Sequence, residues 1–95
     1  MDISQRETGE KGSFYIQQGE EVLAEMIYSI KNDKLLIIEH TEVADTLRGK
    51  NVGYQLVKRA VEYAKQNHLR IIPLCPFAKS ILDKKRDEYK DVLSK

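Results

Sequence analysis

The feature that most constrains the fold is an amphipathic segment, residues 51–67, that lies between two apolar, strand-like runs. Its apolar side chains recur at intervals of three and four residues, which is the period of an α-helix with one buried face. The flanking runs, residues 35–43 and 70–75, contain the clustered aliphatic residues that are typical of strands inside a sheet. The order strand, helix, strand predicts a parallel crossover, and such crossovers are right-handed.

The residues before this unit predict antiparallel strands. Residues 22–30 alternate between apolar and other side chains, the pattern of a half-buried strand, and residues 31–34 read as a turn. Residues 14–16 form a shorter strand candidate, and the polar residues 1–13 are interpreted as a loose tail or an edge strand. The N-terminal half therefore predicts a meander that leads into the crossover.

The C-terminal segment, residues 77–93, is helical in composition, but its middle, residues 83–88, is wholly charged. This predicts two short helices or one bent helix. Pro73 cannot donate to a strand ladder, so its strand is expected to be an edge strand or to splay from its neighbour there. The whole chain, residues 1–95, is expected to be a single α/β (α+β) domain with antiparallel strands, a parallel β-α-β crossover and a C-terminal helix.

Composition excludes several functional classes. The 16 Lys and Arg residues nearly balance the 15 Asp and Glu residues, whereas a protein that binds nucleic acid by bulk charge shows a clear basic excess. No apolar run is long enough to span a membrane, and the polar start shows no signal peptide, so a cytoplasmic protein is expected. One cysteine and two distant histidines predict no metal site.

The loop of residues 48–53 is the most informative motif, because it lies between a strand and the amphipathic helix. Free backbone N–H groups and the helix dipole at such a position favour an anion. Gly49 and Gly53 allow close backbone approach, Asn51 tolerates a positive φ, and Arg48 and Lys50 add positive charge. The spacing is neither that of a Walker loop nor that of a dinucleotide fingerprint. An ordinary strand-to-helix turn is the alternative interpretation.

This loop lies in the order antiparallel strands, loop, helix, strand. Loop and order together resemble the core of the GNAT superfamily of acetyl-CoA-dependent N-acetyltransferases, which has a signature at this position. That signature is Arg or Gln, two residues, Gly, one residue, then Gly or Ala. Arg48, Val52 and Gly53 match it, and Asn51 replaces its first glycine. The motifs at residues 39–43 and 72–77 are similar to those of a small GNAT-like group that lacks the first helices and the final strand pair of the superfamily.

The resemblance implies acetyl-CoA as the cofactor and a minimal GNAT-like mixed sheet. By analogy, the backbone of residues 48–53 binds the pyrophosphate. The strand around residues 40–43, with Thr41 and Val43 as cofactor-binding residues, pairs with the pantetheine arm and presents an N–H to the thioester carbonyl. Lys79 is expected to meet the 3′-phosphate. The implied partners are a CoA thioester and an amine acceptor that the sequence does not identify.

Acetyl transfer to an amine needs a base for the ammonium and an acid for the leaving thiolate. His40 and Glu42 are two residues apart on one strand and share a face, so either fits the base, directly or through a water. Cys75 fits three roles: a small buried side chain, the acid, or a nucleophile that takes the acetyl group with His40 as activating base. Tyr89 is interpreted as a packing residue.

Two further functions compete with a small N-acetyltransferase. One is a non-catalytic module that binds CoA or acyl-CoA, and the other is a protein-interaction domain that has kept the sheet and lost the cofactor site. A monomer or a weak homodimer is expected, because self-association would cover an exposed sheet edge.

Overall fold

A five-stranded sheet organises the computed structural model, which describes residues 2–93. The elements in chain order are β1 (Ser4–Thr8), β2 (Lys11–Gln18), β3 (Glu21–Lys31), β4 (Leu35–Val43), α1 (Val52–Gln66), β5 (Arg70–Pro73), α2 (Pro76–Lys84) and α3 (Arg86–Tyr89), with a short 3-10 turn at Asp45–Leu47. The strands lie in sequence order across the sheet. All neighbours are antiparallel except β4 and β5, whose parallel pairing confirms the predicted crossover.

A β-bulge in β4 decides which side chains face inward. Met26 of β3 pairs with Thr41, but Tyr28 pairs with Ile38, so two steps along β3 match three steps along β4. The extra residue of β4 interrupts the strict alternation of its side chains. As a result Ile38 and Thr41, which strict alternation would separate, face the same side of the sheet.

The core lies between one face of the sheet and the helices. Its fully buried side chains include Phe14, Met26, Tyr28, Leu36, Ile38, Leu56, Val57, Ile71 and Leu82. The molecule measures 36 × 31 × 20 Å, and the short dimension matches one sheet layer and one helix layer. In residues 2–93, no helix is both long enough and apolar enough to span a bilayer.

The opposite face of the sheet carries four aliphatic side chains that are only half-buried: Ile27, Leu35, Ile37 and Ile72. None of them belongs to the core cluster or packs against it. They alternate with fully buried neighbours such as Leu36 and Ile71, so they point away from the helices. Within residues 2–93, this second face has no helix packed on it.

The ends of the sheet differ from the sequence-based expectation. β2 is longer than the predicted residues 14–16, and Ser4–Thr8 pairs with it as the edge strand. β5 ends at Pro73, two residues earlier than predicted. Leu93 forms a parallel bridge with Ile71 on the outer edge of β5. The C-terminal segment forms two short helices, one of the two predicted arrangements.

Candidate active site

The two parallel strands part beyond Ile38, and this opening is the centre of the candidate site. The ladder between β4 and β5 ends at the pair Ile38 and Pro73. The N–H groups of Leu74 and Cys75 both donate to the Ile38 carbonyl, at 3.0 and 3.1 Å, so the chain turns away from β4 at this point. β4 itself continues to Val43. Within residues 2–93, its last part has no strand partner on the β5 side, which leaves backbone groups free for an extended ligand.

The start of α1 supplies backbone donors beside this opening. Asn51, the N-cap residue, has a left-handed φ of 63°, and Gly49 has a φ of 82°. The positive φ expected of Asn51 is therefore confirmed. The Asn51 side chain makes no capping hydrogen bond, and the first helical bond runs from the Gln55 N–H to the Asn51 carbonyl. The N–H groups of the first turn are thus available to an anion.

The two glycines of the loop serve different needs. A Cβ on Gly53 would lie 2.0 Å from Cζ of Phe77, so any other residue there would displace the Phe77 ring from its place beside α1. A Cβ on Gly49 would meet no atom within 4 Å, and only its positive φ disfavours other residues. Gly53 therefore allows the Phe77 ring to pack against α1, while Gly49 allows the turn.

A hollow of about 770 Å³ opens between the start of α1, α2 and the end of β4. Its walls are formed by Thr41, Val43, Leu47, Arg48, Gly49, Asn51, Val52, Gly53, Tyr54, Phe77, Ile81, Lys84 and Lys85. This volume lies within the range of small-molecule sites. We call it the α1 hollow.

Most of the residues expected to bind the cofactor line the α1 hollow, but two lysines do not. Lys50 is outside its walls, and Lys79 forms an ion pair with Asp83, Nζ to Oδ2 at 3.0 Å. Lys84 and Lys85 line it instead, although Nζ of Lys85 also lies 3.9 Å from Oε2 of Glu88. Lys84, the last residue of α2, follows Phe77 by seven residues, a helical spacing that places it on the same face and that the sequence already shows, and Lys85 is the C-cap residue after it.

Arg48 has an acidic neighbour. Its Nε lies 2.9 Å from Oδ1 of Asp45, and both side chains are highly exposed. Such exposed pairs contribute little to stability and break readily. Arg48 can therefore turn to an anion in the α1 hollow at small cost.

A second hollow of about 500 Å³ lies on the other side of the end of β4. Thr41, Val43 and Arg48 line both hollows and so form the wall between them. Glu25 and Glu42, which are cross-strand partners, line only the second. We call it the acidic hollow.

Cys75 lies on the side of the sheet that the helices cover. It is 6% exposed, precedes α2 as its N-cap residue, and its Sγ is 3.6 Å from Oγ1 of Thr41. Burial acts to raise the pKa of the thiol, but its hydrogen bonds with the Ala78 N–H, the Thr41 side chain and the Phe77 N–H outweigh it. The pKa of Cys75 therefore lies below its ordinary value, as is usual for a thiol at a helix N-terminus.

His40 and Glu42 share a face, as their spacing predicts, and they contact each other. Nε2 of His40 lies 2.9 Å from Oε1 of Glu42, and both side chains are exposed. They alternate with Thr41, so they point away from the side on which Cys75 contacts Thr41. The structure does not bring His40 to Cys75, and the interpretation of His40 as the activating base of that thiol lacks a contact.

Tyr89 is a packing residue, as predicted. It is 3% exposed, and its hydroxyl lies 3.3 Å from that of Tyr54 on α1. Burial and the Tyr54 hydroxyl raise the pKa of Tyr89, so it stays neutral at physiological pH. Nζ of Lys85 lies 5.0 Å from the centre of the Tyr54 ring. The contact between these tyrosines joins α3 to the first turn of α1.

The chain is similar to known N-acetyltransferases in sequence and in fold. A sequence model described as GCN5-related N-acetyl-transferase matches residues 13–92. A GCN5-like protein from Staphylococcus aureus, named as a candidate N-acetyltransferase and solved by NMR, is 41% identical. The alignment covers 96% of this chain and 87% of that one, with a TM-score of 0.74. No curated protein matches the sequence.

Two more distant structures share the fold alone. A GNAT family acetyltransferase from Elizabethkingia anophelis, solved with acetyl-CoA bound, is 15% identical with a TM-score of 0.62, over 81% of this chain and 53% of that one. An aminoglycoside N-acetyltransferase in complex with CoA is 14% identical with a TM-score of 0.65, over 93% of this chain and 89% of that one.

Proposed function

Because the chain belongs to the GCN5-related N-acetyltransferase family, we propose that it transfers the acetyl group of acetyl-CoA to an amine. One observation carries the proposal: the free N–H groups at the start of α1 open into the α1 hollow, beside the point where β4 and β5 part. An anion at the helix start and an extended arm along β4 are what a CoA thioester requires.

The residues of the α1 hollow fit the parts of CoA. The first turn of α1 suits the pyrophosphate, because among residues 2–93 its N–H groups have no carbonyl partner and Gly49 leaves open space beside it. In the preceding loop, the N–H groups of Arg48 and Lys50 already donate to the carbonyls of Asp45 and Leu47. Arg48 and Lys85 add charge for the phosphates. The free backbone of Thr41 and Val43 suits the amides of the pantetheine arm, and the arm leads to Cys75.

The amine enters from the acidic hollow. Acetyl-CoA supplies an activated acyl carbon, and the amine must reach it as a free base from the side that the cofactor does not occupy. Glu42 lines this hollow and contacts His40, so the pair can take a proton from the incoming ammonium, directly or through a water. Glu25, opposite Glu42, favours a cationic amine over a neutral one.

Cys75 meets the thioester end of the site. A lowered pKa makes its proton easier to transfer, which suits two roles: giving the proton to the departing CoA thiolate, or taking the acetyl group itself. In the second case an Sγ–C bond forms and the C–S bond of CoA breaks. In both, the proton of Cys75 passes to the CoA sulfur. Mass spectrometry with acetyl-CoA and no amine separates them, because only the second adds an acetyl group that Cys75→Ala abolishes.

Calorimetric titration with acetyl-CoA tests the cofactor site. We expect Gly53→Glu to weaken binding about 100-fold or more, because a negative side chain would enter the start of α1 and its Cβ would displace Phe77, which lines the hollow. Gln66→Glu adds the same charge at the exposed far end of α1 and should bind as the parent does. If the folded Gly53→Glu protein binds acetyl-CoA with unchanged affinity, the acetyl-CoA site does not lie in the α1 hollow.

Release of CoA in the presence of amines tests the transfer. Amine-dependent release that Glu42→Gln slows, with acetyl-CoA affinity retained, would support the assigned base. Binding without amine-dependent release would make the chain a CoA-binding module. The open second face of the sheet gives that alternative its only structural support, since no helix of residues 2–93 closes the amine side.

A further inference from the structure

The uncovered face of the sheet carries a continuous aliphatic patch. Ile37 pairs with Ile72 across β4 and β5, and Leu35 is the next residue of β4 on the same face. Ile27 of β3 lies diagonally from Ile37, since Ile27 pairs with His40 and Ser29 with Ile37. All four are half-buried within the sheet and make no contact with the core cluster. We call these residues the open patch.

Charges at the two ends of this face have opposite signs. Glu25, Ile27, Ser29 and Lys31 follow one another along β3 on the open side. Glu25, with Glu42 opposite, marks the end near the acidic hollow, and Lys31 marks the other. Among residues 2–93, neither Lys31 nor Glu25 has an ion-pair partner in its own chain, whereas Lys11 already pairs with Glu39. The β3 row is thus negative at one end and positive at the other. Between the ends lie the side chains of Ile27 and Ile37, with Glu39 and His40 of β4 beside them.

We propose that a second copy of this chain covers the open patch, related to the first by a two-fold axis that runs across the strands. Such an axis reverses strand direction between the two facing sheets but keeps β3 over β3 and β4 over β4. Lys31 of each copy then lies over Glu25 of the other, at the end of the face where the proposed amine enters, so association and amine binding compete there. Ile27 and Ile37 of both copies meet at the axis, so one surface supplies both halves of an isologous interface.

Charge pattern and area favour a second copy that binds weakly. A different partner whose surface carries mainly one sign of charge would place a like charge over either Lys31 or Glu25. A second copy in the reversed orientation places an opposite charge over each of them. The face spans four strand spacings and six residue steps, or about 400 Å² per copy, against about 800 Å² in standard stable interfaces. A face this small is typical of weak, transient association, which is therefore expected.

Sedimentation velocity over a concentration series tests the proposal. The weight-average mass should rise above that of the 11.0 kDa monomer as the concentration approaches the millimolar range. Lys31→Glu should weaken association about tenfold or more, because two-fold symmetry places two like-charge pairs in the interface. Lys58→Glu, the same change on the exposed side of α1, should have no effect.

The decisive variant is the double exchange Lys31→Glu with Glu25→Lys. It keeps the net charge of the parent and reverses both ends of the face, so it should recover the association that Lys31→Glu loses. Recovery is specific to this symmetric pairing. Failure of the double exchange, an effect of Lys58→Glu equal to that of Lys31→Glu, or a constant monomer mass at 1 mM would each overturn the proposal. The measurement needs neither acetyl-CoA nor an amine, so its result is separate from that of the proposed reaction.

Discussion

The two faces of the sheet differ in what their side chains do. On the covered face, residues such as Ile38 and Leu36 are fully buried against α1 and α2, and the α1 hollow opens at the end of this packed layer. On the open face, Ile37 is half-buried and His40 and Glu42 are exposed. The covered face therefore fixes the fold, and the proposed cofactor site opens at its end. The open face carries the proposed base and the proposed docking patch.

Truncating one isoleucine on each face measures this difference directly. Ile38→Ala should cost about 3–4 kcal/mol of unfolding free energy, because it leaves a cavity under α1 and α2. Ile37→Ala, the adjacent residue on the same strand, should cost about 1 kcal/mol, since its side chain already contacts water. Urea unfolding at low protein concentration, where dimers are absent, gives both values. Equal costs would show that the open face is packed as tightly as the other.

The elements that set this layering could be predicted from the sequence where their signal is local. The helix predicted over residues 51–67 is observed at Val52–Gln66, and the strand over residues 35–43 at Leu35–Val43. Both depend on side-chain periodicity, which reflects one buried face. The edge strand β1 lacked such a signal. It is held by distant contacts, since the hydroxyls of Tyr28 and Tyr63 both donate to Oε1 of Glu7, at 2.7 and 2.8 Å.

In the candidate site, too, features with a local sequence signal could be predicted, and features that depend on distant contacts could not. The loop before α1 was found because its glycines and Asn51 carry backbone preferences in their own sequence. The sequence does not show that His40 and Cys75 lie on different sides of the sheet, because that depends on strand alternation after a bulge that pairing with β3 reveals. Nearness to a strand end favours Lys79 in the sequence, whereas the helical phase from Phe77 favours Lys84, which with Lys85 lines the α1 hollow.

The acidity of Cys75 tests whether the two faces act independently. Because its pKa is lowered, the thiolate fraction rises at a lower pH than in free cysteine, so the midpoint of the pH profile for alkylation should lie below that of a model thiol. Thr41→Val removes a hydrogen-bond donor to the thiolate and should move the midpoint up, whereas Thr41→Ser keeps it. His40→Asn, on the open face, should leave it unchanged. A shift in His40→Asn would mean that the faces communicate at the site.

The smallest expected effect separates the lysines of α2 and so marks where the α1 hollow ends. Lys85→Met should weaken CoA binding about three- to tenfold, or roughly 1 kcal/mol, because a partly exposed charge is screened by water and salt. Lys79→Met removes the same charge from a side chain paired with Asp83 outside the hollow, and should change the affinity less than about twofold. Dephospho-CoA, which lacks the 3′-phosphate, identifies the group that Lys85 contacts. If Lys85→Met weakens the binding of CoA but not that of dephospho-CoA, Lys85 contacts the 3′-phosphate and the adenosine end lies against α2. Equal losses of affinity for both ligands would indicate that Lys85 contacts the pyrophosphate. A larger loss of affinity in Lys79→Met than in Lys85→Met would indicate that the proposed cofactor site reaches beyond the α1 hollow.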